Sequence, residues 1–371
     1  MAHSAQHWLE QIRSLPLTNI HPDRPFRILN VCGGHERTIS MAGMRTALPP
    51  QVKLIPGPGC PVCVCPEEDI YNAIQLALNV DIILLSFGDM LRVPANVPKG
   101  TPRSLEQAKA NGADIRPIAS PRDAVAIART TDKAVVFFAA GFETTTAPVA
   151  AMLAEGVPDN LFVLLSAHLT WPAVAMLMNS GKANIDAVIA PGHVATVMGA
   201  QQWHFLTEQH ALPVAVAGFT AESLLAAFYS VLRQVLDNKP FLDNCYPEVV
   251  TEQGNTLAQG CLDRVMDVVD ANWRGIGTIP ASGFSLNEDF AAHDARLKFP
   301  DVSQVTRKRI GEMPAGCDCS NVVLGIKQPD QCKLYGTGCT PRQPVGPCMV
   351  SDEGACRIWW QAGIREHKVA V

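Results

Sequence analysis

Val52-Lys53-Leu54-Ile55-Pro56-Gly57-Pro58-Gly59-Cys60-Pro61-Val62-Cys63-Val64-Cys65-Pro66-Glu67-Glu68-Asp69 runs from an apolar stretch through a Gly/Pro-rich turn into three acidic residues. The apolar part has the length of a buried strand. The acidic residues after Pro66 mark the first turn of a helix, where carboxylates meet the positive end of the helix dipole. A strand, a rigid turn and a helix N-terminus therefore present Cys60, Cys63 and Cys65 within six residues. Thiols at a helix N-terminus have their thiolate form favoured, so redox or metal chemistry is expected in this loop. Cysteine is also a common small core residue, and a rigid turn holding three inert thiols is the plain structural alternative.

The same strand-turn-helix rhythm extends outward from this loop. Apolar runs at 27–31, 52–55, 80–87 and 114–119 alternate with helix-like segments at 67–78 and 102–111, and a second series follows. That series has strands at 134–140, 161–166, 185–190 and 213–217, with helices near 146–155, 171–180, 194–208 and 221–236. Successive β-α units of this spacing build parallel sheets. The expected fold is α/β, with two similar parallel-sheet domains in tandem at 24–130 and 131–270. A cysteine-rich iron-sulfur domain at 271–371 follows, and residues 1–23, which include a short amphipathic helix at 5–14, are a candidate to pack on it. Residues 257–271 fit a helix and 273–284 an extended connector. In open parallel sheets chemistry gathers at the carboxyl ends of strands. Cys32-Gly33-Gly34-His35-Glu36, the Gly57–Cys65 turn, Ser86–Asp89, Gly141–Thr145, His168 and His193 all fall there.

The 371 residues exceed one ordinary core, and an apolar content of 47% supplies material for two or three. Thirty basic against thirty-five acidic residues, with no basic block, give no support for binding nucleic acid or an anionic membrane. No apolar run is long enough to span a bilayer, and the N-terminus lacks a secretory pattern, so a cytoplasmic location is expected. In a reducing compartment twelve cysteines argue for metal or redox work rather than a disulfide framework.

Six of those cysteines, Cys317, Cys319, Cys332, Cys339, Cys348 and Cys356, lie in a Gly/Pro-rich tail with little capacity to form a core by itself. Four thiolates on loops suit either a [4Fe-4S] cluster or a tetrahedral zinc. Their wide intervals match a cubane better than the paired knuckles of a zinc finger, and by spacing alone any four of the six can serve. In the N-terminal group, Cys32 on a strand-end turn can bind soft iron, and His35 beside it can bind metal, move a proton or simply cap a helix. Cys60 and Cys63 form a CxxC pair able to cycle between dithiol and disulfide. Gly141-Phe142-Glu143-Thr144-Thr145 lacks the lysine of a phosphate-binding loop, and no GxGxxG stands at a strand-to-helix junction.

Taken together, Cys32-Gly33-Gly34-His35-Glu36, Gly57-Pro58-Gly59-Cys60-Pro61-Val62-Cys63, Gly141–Thr145, Trp273-Arg274-Gly275-Ile276-Gly277 and the tail from Cys332 to Cys356 resemble the HypD family of hydrogenase maturation factors. The resemblance covers nearly the whole chain. It implies a cytosolic scaffold, with redox activity rather than ordinary enzyme turnover. On it the Fe(CN)2CO centre of [NiFe]-hydrogenases is assembled, together with a HypC-type small chaperone and with HypE and HypF as cyanide donors. Cys32 would then be the iron-holding thiolate, with His35 and Glu36 beside it and Cys60 and Cys63 as the redox pair. The cluster ligands would be Cys332, Cys339, Cys348 and Cys356, ahead of Cys317 and Cys319. Cys65 departs from the family pattern, in which threonine is usual. The competing reading is a cluster-dependent thiol/disulfide oxidoreductase using Cys60 and Cys63.

Overall fold

The computed structural model describes residues 4–21, 23–98, 100–182, 184–300 and 313–364. Their apolar runs form eleven strands: β1 (Phe26–Asn30), β2 (Val52–Pro56), β3 (Ile82–Phe87), β4 (Ile115–Ile118), β5 (Ala134–Gly141), β6 (Leu161–His168), β7 (Ala187–Pro191), β8 (Val214–Ala217), β9 (Leu242–Asn244), β10 (Met266–Trp273) and β11 (Gly277–Leu286). β5 and β6 are apolar and almost wholly buried along their lengths. This is the expected signature of strands covered on both faces by helices.

Two sheets result, and their strands interleave along the chain. The first has the order β2-β1-β7-β8-β9 and is parallel throughout; the second runs β10-β11-β6-β5-β3-β4, with β11 and β10 added antiparallel. The sheets therefore do not divide near residue 130. The chain leaves the first sheet after β2, builds the parallel part of the second, and returns at β7. Apolar periodicity locates a parallel strand, but its neighbour in the sheet is reached through a long crossover, so tandem and interleaved arrangements have the same strand pattern.

Three further differences have local causes. Residues 257–271 split into a helix, Thr256–Val265, and β10, which pairs with β11 to form a hairpin where an extended connector was expected. Pro121–Ala128 forms an additional helix. Ser120 and Asp123 close a capping box there, the Asp123 carboxylate accepting from the Ser120 N–H at 3.0 Å. The N-terminal helix, Ala5–Arg13, packs on the helix Ala221–Leu236 of the first sheet and not on the cysteine-rich tail. Trp8 meets Tyr229 at 5.4 Å between ring centroids, and Ile12 enters the core containing Phe228, Val231 and Leu232.

The described part of the tail, residues 313–364, has no core of its own. Val322, Val323, Met349, Ile358 and Trp359 join the hydrophobic cluster that also holds Val62, Ile70, Leu84 and Phe138. Polar ties fasten it further: Ser351 donates to the Asp89 carboxylate at 3.1 Å, and Arg92 donates to the Pro341 carbonyl at 2.9 Å. Among the described residues no helix is long and apolar enough to cross a membrane.

Ile12 is fully buried, so Ile12→Ala should cost about 2–5 kcal/mol of folding stability. Urea unfolding would show a lowered midpoint. Because Ile12 packs on the first sheet and away from the tail, the accessibility of the tail thiols to a maleimide should stay as in the wild type under native conditions. Increased tail labelling would contradict this packing.

Candidate redox and metal centre

β1 and β2 are neighbours, and their parallel ladder ends at Asn30 opposite Pro56. Beyond that point the two loops remain bonded. The Gly57 N–H donates to the Asn30 carbonyl at 2.8 Å, and the Gly33 N–H donates to the Gly59 carbonyl at 3.0 Å. The approach is too close for side chains. A Cβ on Gly59 would lie 2.4 Å from both the N and the Cα of Cys32. Two strand ends thereby place Cys32 against the CxxC loop.

Each loop opens a helix with a cysteine. Cys32 is the N-cap of Gly33–Met41, and Cys60 is the N-cap of the short helix Pro61–Val64, with Pro61 supplying a preset φ at its first position. Cys60 and Cys63 form a disulfide and both are buried. A small cavity is lined by Asn30, Cys32, Glu36, Cys60 and Cys63 from these loops, and by Cys348 and Glu353 from the tail. One space thus joins the half-buried Cys32 thiol, the disulfide and a tail cysteine.

Helix position does not activate Cys32. Burial pushes its thiol up to about 12, outweighing the nearby backbone N–H groups of His35 and Gly34, and the Glu353 and Glu36 carboxylates push the same way. His35 is fully buried, with Nδ1 3.1 Å from Asn30 Oδ1 and Nε2 3.0 Å from the Ala217 carbonyl. Burial drives its pKa down to about 3, so the ring is neutral and its single N–H donates to one of these two oxygens only. Asn30 in turn donates from Nδ2 to the Cys32 carbonyl at 3.0 Å. Glu36 is equally committed: both its oxygens accept from Arg45, at 2.7 and 2.8 Å, and Oε1 also accepts from Trp359 Nε1 at 2.7 Å. The Arg45 guanidinium lies over the Trp359 ring at 4.9 Å. Asn30, Arg45 and Trp359 were not visible as site residues in the sequence. Each is an ordinary residue until the fold brings it to its partner.

Cys65 leaves the group. It is fully buried, its sulfur lies 3.4 Å from Ser166 Oγ on β6, and burial pushes its thiol up to about 12. In the tail, Cys319 lies close enough to Cys317, Cys348 and Cys356 to act on their protonation. The Cys319 side chain raises the Cys317 and Cys356 thiols and, with Cys356, lowers Cys348 well below the ordinary thiol range. A Cβ on Gly346 would lie 2.6 Å from the sulfurs of both Cys317 and Cys319, so that glycine leaves them their space. Cys339 is pushed up by burial, and further by Cys319 and Cys317; its sulfur accepts from the Val345 N–H at 3.3 Å. The Cys332 thiol instead faces the Gly316 carbonyl at 3.9 Å. Among the described residues no three His, Cys, Asp or Glu side chains are arranged to hold a single metal ion.

The other strand-end residues lie outside this cavity. His193 stacks on Phe219 at 3.8 Å, His168 meets the Asn272 carbonyl at 2.9 Å and packs edge-on against Trp273, and Asp89 accepts from Ser351. Glu143 is fully buried after β5. Its Oε1 accepts from the N–H and hydroxyl of Thr170 at 2.7 and 2.9 Å, while Oε2 has no partner among the described residues.

Burial raises the Glu143 carboxyl from 4.5 to about 7, so the folded chain holds a proton there that the unfolded chain has released. Its favourable contribution is complete below the unfolded value of 4.5 and is lost as pH rises toward 7. Within that window the stability of the wild type relative to Glu143→Gln should fall by up to about 1.4 kcal/mol per pH unit. Urea titrations of both proteins across the window check this, and parallel pH profiles would contradict it.

The family described as "HypD: Hydrogenase formation hypA family" matches residues 3–363. Hydrogenase maturation factor HypD of Rhizobium leguminosarum bv. viciae is 40% identical over 359 residues, covering 94% of this chain and 91% of that protein. The protein of the same name from Rhodobacter capsulatus is 38% identical over 349 residues, with coverages of 92% and 90%. A putative hydrogenase expression/formation protein of Methanocaldococcus jannaschii is 39% identical over 339 residues, covering 90% and 91%. The chain belongs to the HypD family of hydrogenase maturation proteins.

Proposed function

We propose that this chain is the scaffold on which the Fe(CN)2CO centre of [NiFe]-hydrogenases is assembled, with the iron as cargo held at Cys32. The observation that carries the reading is the single cavity shared by Cys32, the Cys60–Cys63 disulfide and Cys348, in a member of a hydrogenase maturation family. Cys32 is the one thiol of the two N-terminal loops that is both outside the disulfide and partly exposed. It offers iron a soft ligand, and a HypC-type partner would supply a second thiolate. HypE with HypF would deliver cyanide from outside the chain.

Iron at Cys32 replaces a proton that burial otherwise retains, so loading releases that proton to solvent or to a partner. His35 and Glu36 act here as positioning residues. Both oxygens of Glu36 have internal partners, and the His35 ring is held between the Asn30 side chain, which itself donates to the Cys32 carbonyl, and the Ala217 carbonyl. Cys60 and Cys63 supply the redox step. Two electrons and two protons convert the disulfide to two thiols, and oxidation of those thiols back to the disulfide releases two electrons and two protons.

The tail suits a resident [4Fe-4S] cluster by its donor set of six cysteines, five of them buried. When bound, such a cluster supplies single electrons near the disulfide. The ligand set expected from sequence, Cys332, Cys339, Cys348 and Cys356, shares Cys348 and Cys356 with the thiols that act on each other in the fold. Cys317 and Cys319 compete with Cys332 and Cys339 for the other two places.

Two measurements test these assignments. Infrared spectra of the anaerobic complex with the small chaperone should show metal-bound cyanide and carbonyl bands. Cys60→Ser should abolish them while cluster iron and sulfide remain, and unchanged bands would remove the disulfide from the reaction. Cys348→Ser and Cys356→Ser should each lose most cluster iron. Iron content in Cys319→Ser and Cys332→Ser, measured side by side, assigns a remaining ligand to whichever variant loses it.

A further inference from the structure

A second cavity, of about 380 Å³, opens where the first turn of the helix Glu67–Asn79 meets the end of β6, the β10–β11 hairpin and the start of the helix Ala295–Lys298. It shares no lining residue with the cavity at Cys32, and its size is that of a small-molecule site. Four carboxylates line it, those of Glu68, Asp69, Asp270 and Asp294, against the single guanidinium of Arg296. That cation is already committed: its Nη2 donates to Asp69 at 2.8 Å and to the Leu165 carbonyl at 2.9 Å. Glu68, Asp270 and Asp294 form no salt bridge among the described residues, so the lining has a surplus of negative charge.

Two hydrogen-bond acceptors in the wall are idle. His168 is 2% exposed, and its Nε2 lies 2.9 Å from the Asn272 carbonyl. A carbonyl only accepts, so Nε2 carries the proton. Burial lowers the pKa of the ring, and the neutral imidazole is left with a bare lone pair on Nδ1, which has no partner among the described residues. Glu68 Oε1 is likewise buried without a partner there, and Oε2 is held only by Asn272 Nδ2 at 3.5 Å. A buried carboxylate oxygen with no donor is costly, and one so loosely held turns to a donor that is offered to it. Both idle groups accept and neither donates, so the missing partner is a donor. Among the described residues no three side chains are arranged to hold a metal ion.

We infer that this cavity binds a small organic cation, an alkylammonium or alkylguanidinium, whose charge meets Glu68 together with Asp270 or Asp294 and whose N–H groups are accepted by Glu68 Oε1 and His168 Nδ1. Such a group brings a positive charge and several donors to one place, which is what the lining lacks. The inference does not rest on the iron reading. The site nevertheless adjoins the redox loop, because Ser166, in the same wall, lies 3.4 Å from the Cys65 sulfur.

The test uses the full chain, with agmatine and n-butylammonium as probes and neutral n-butylurea as the control, followed by ligand-observed NMR and calorimetry. Both cations should bind saturably, and butylurea should not bind. Glu68→Gln, which keeps the size and removes the charge, should weaken agmatine binding about tenfold or more, the loss of one charge-assisted hydrogen bond. Asp270→Asn, at an exposed position on the hairpin, should weaken it by a smaller factor, and it decides the matter if Glu68→Gln does not fold. Glu106→Gln, which alters an exposed carboxylate outside the cavity, should bind as the wild type does. The inference is overturned if neither cation binds saturably, if butylurea binds as well, if both cavity variants keep the wild-type affinity, or if Glu106→Gln weakens binding as much as they do.

Discussion

The site depends on the bonding of two backbone turns to each other. β1 and β2 end in step, and the hydrogen bonds Gly57 to Asn30 and Gly33 to Gly59 carry their pairing past the sheet into the loops. This continuation is possible because glycine occupies the points of contact. At Gly59 any side chain would overlap the backbone of Cys32. The distance between Cys32 and the Cys60–Cys63 disulfide is thus set by main-chain atoms, which are far stiffer than side-chain rotamers. Gly33 shows the same economy on the other side. A Cβ there would lie 2.5 Å from the Cβ of Glu353, so the tail too approaches the first turn of the Cys32 helix without a gap.

The tail is the third wall of the site, and it is held by charge as well as by burial. Trp359 packs against the Arg45–Glu36 pair, its ring on the guanidinium and its Nε1–H donating to the carboxylate. A buried carboxylate is tolerable only with such full pairing. This pairing makes the orientation of the helix Ala355–Gln361 depend on the helix that begins at Cys32. Cys356 lies on the former helix and Cys348 just before it, so the cysteine-rich segment and the Cys32 loop are parts of one assembly. Arg274 and Gly275 add a second bridge, the Arg274 N–H bonding the Val64 carbonyl at the end of the disulfide helix and Gly275 lying against Ser320 of the helix that begins at Cys319.

Much of this was legible in the sequence because parallel strands buried on both faces are written as short apolar runs. The runs at 134–140 and 161–166 differ from β5 and β6 by only one or two residues at their ends. Sheet membership was not legible, since β1 pairs with β7 across more than a hundred and fifty residues and no local feature records that choice. β10 was hidden for a different reason. It is the edge strand of its sheet, its middle residues are largely exposed, and it continues directly from a helix without a turn residue between them. The capping box at Ser120 and Asp123 was a readable signal for the missed helix. In the site, the cysteines announced themselves by type and spacing. Asn30, Arg45 and Trp359 did not, because a residue that orients another has no spacing of its own.

Cys32 shows why position alone is a poor guide to reactivity. At a helix N-cap, dipole and backbone donors favour a thiolate, and this is the expectation the sequence supports. In the folded chain burial and two carboxylates outweigh them, and the thiol holds its proton. That result is consistent with a scaffold. A free thiolate beside the Cys60–Cys63 disulfide would attack it by thiol–disulfide exchange, whereas a protonated thiol is a poor nucleophile. Under the proposed function a divalent metal would change the balance by supplying the positive charge that burial withholds, and the thiol would ionise on binding it. The same burial that suppresses the helix effect therefore separates two kinds of sulfur chemistry that share one cavity.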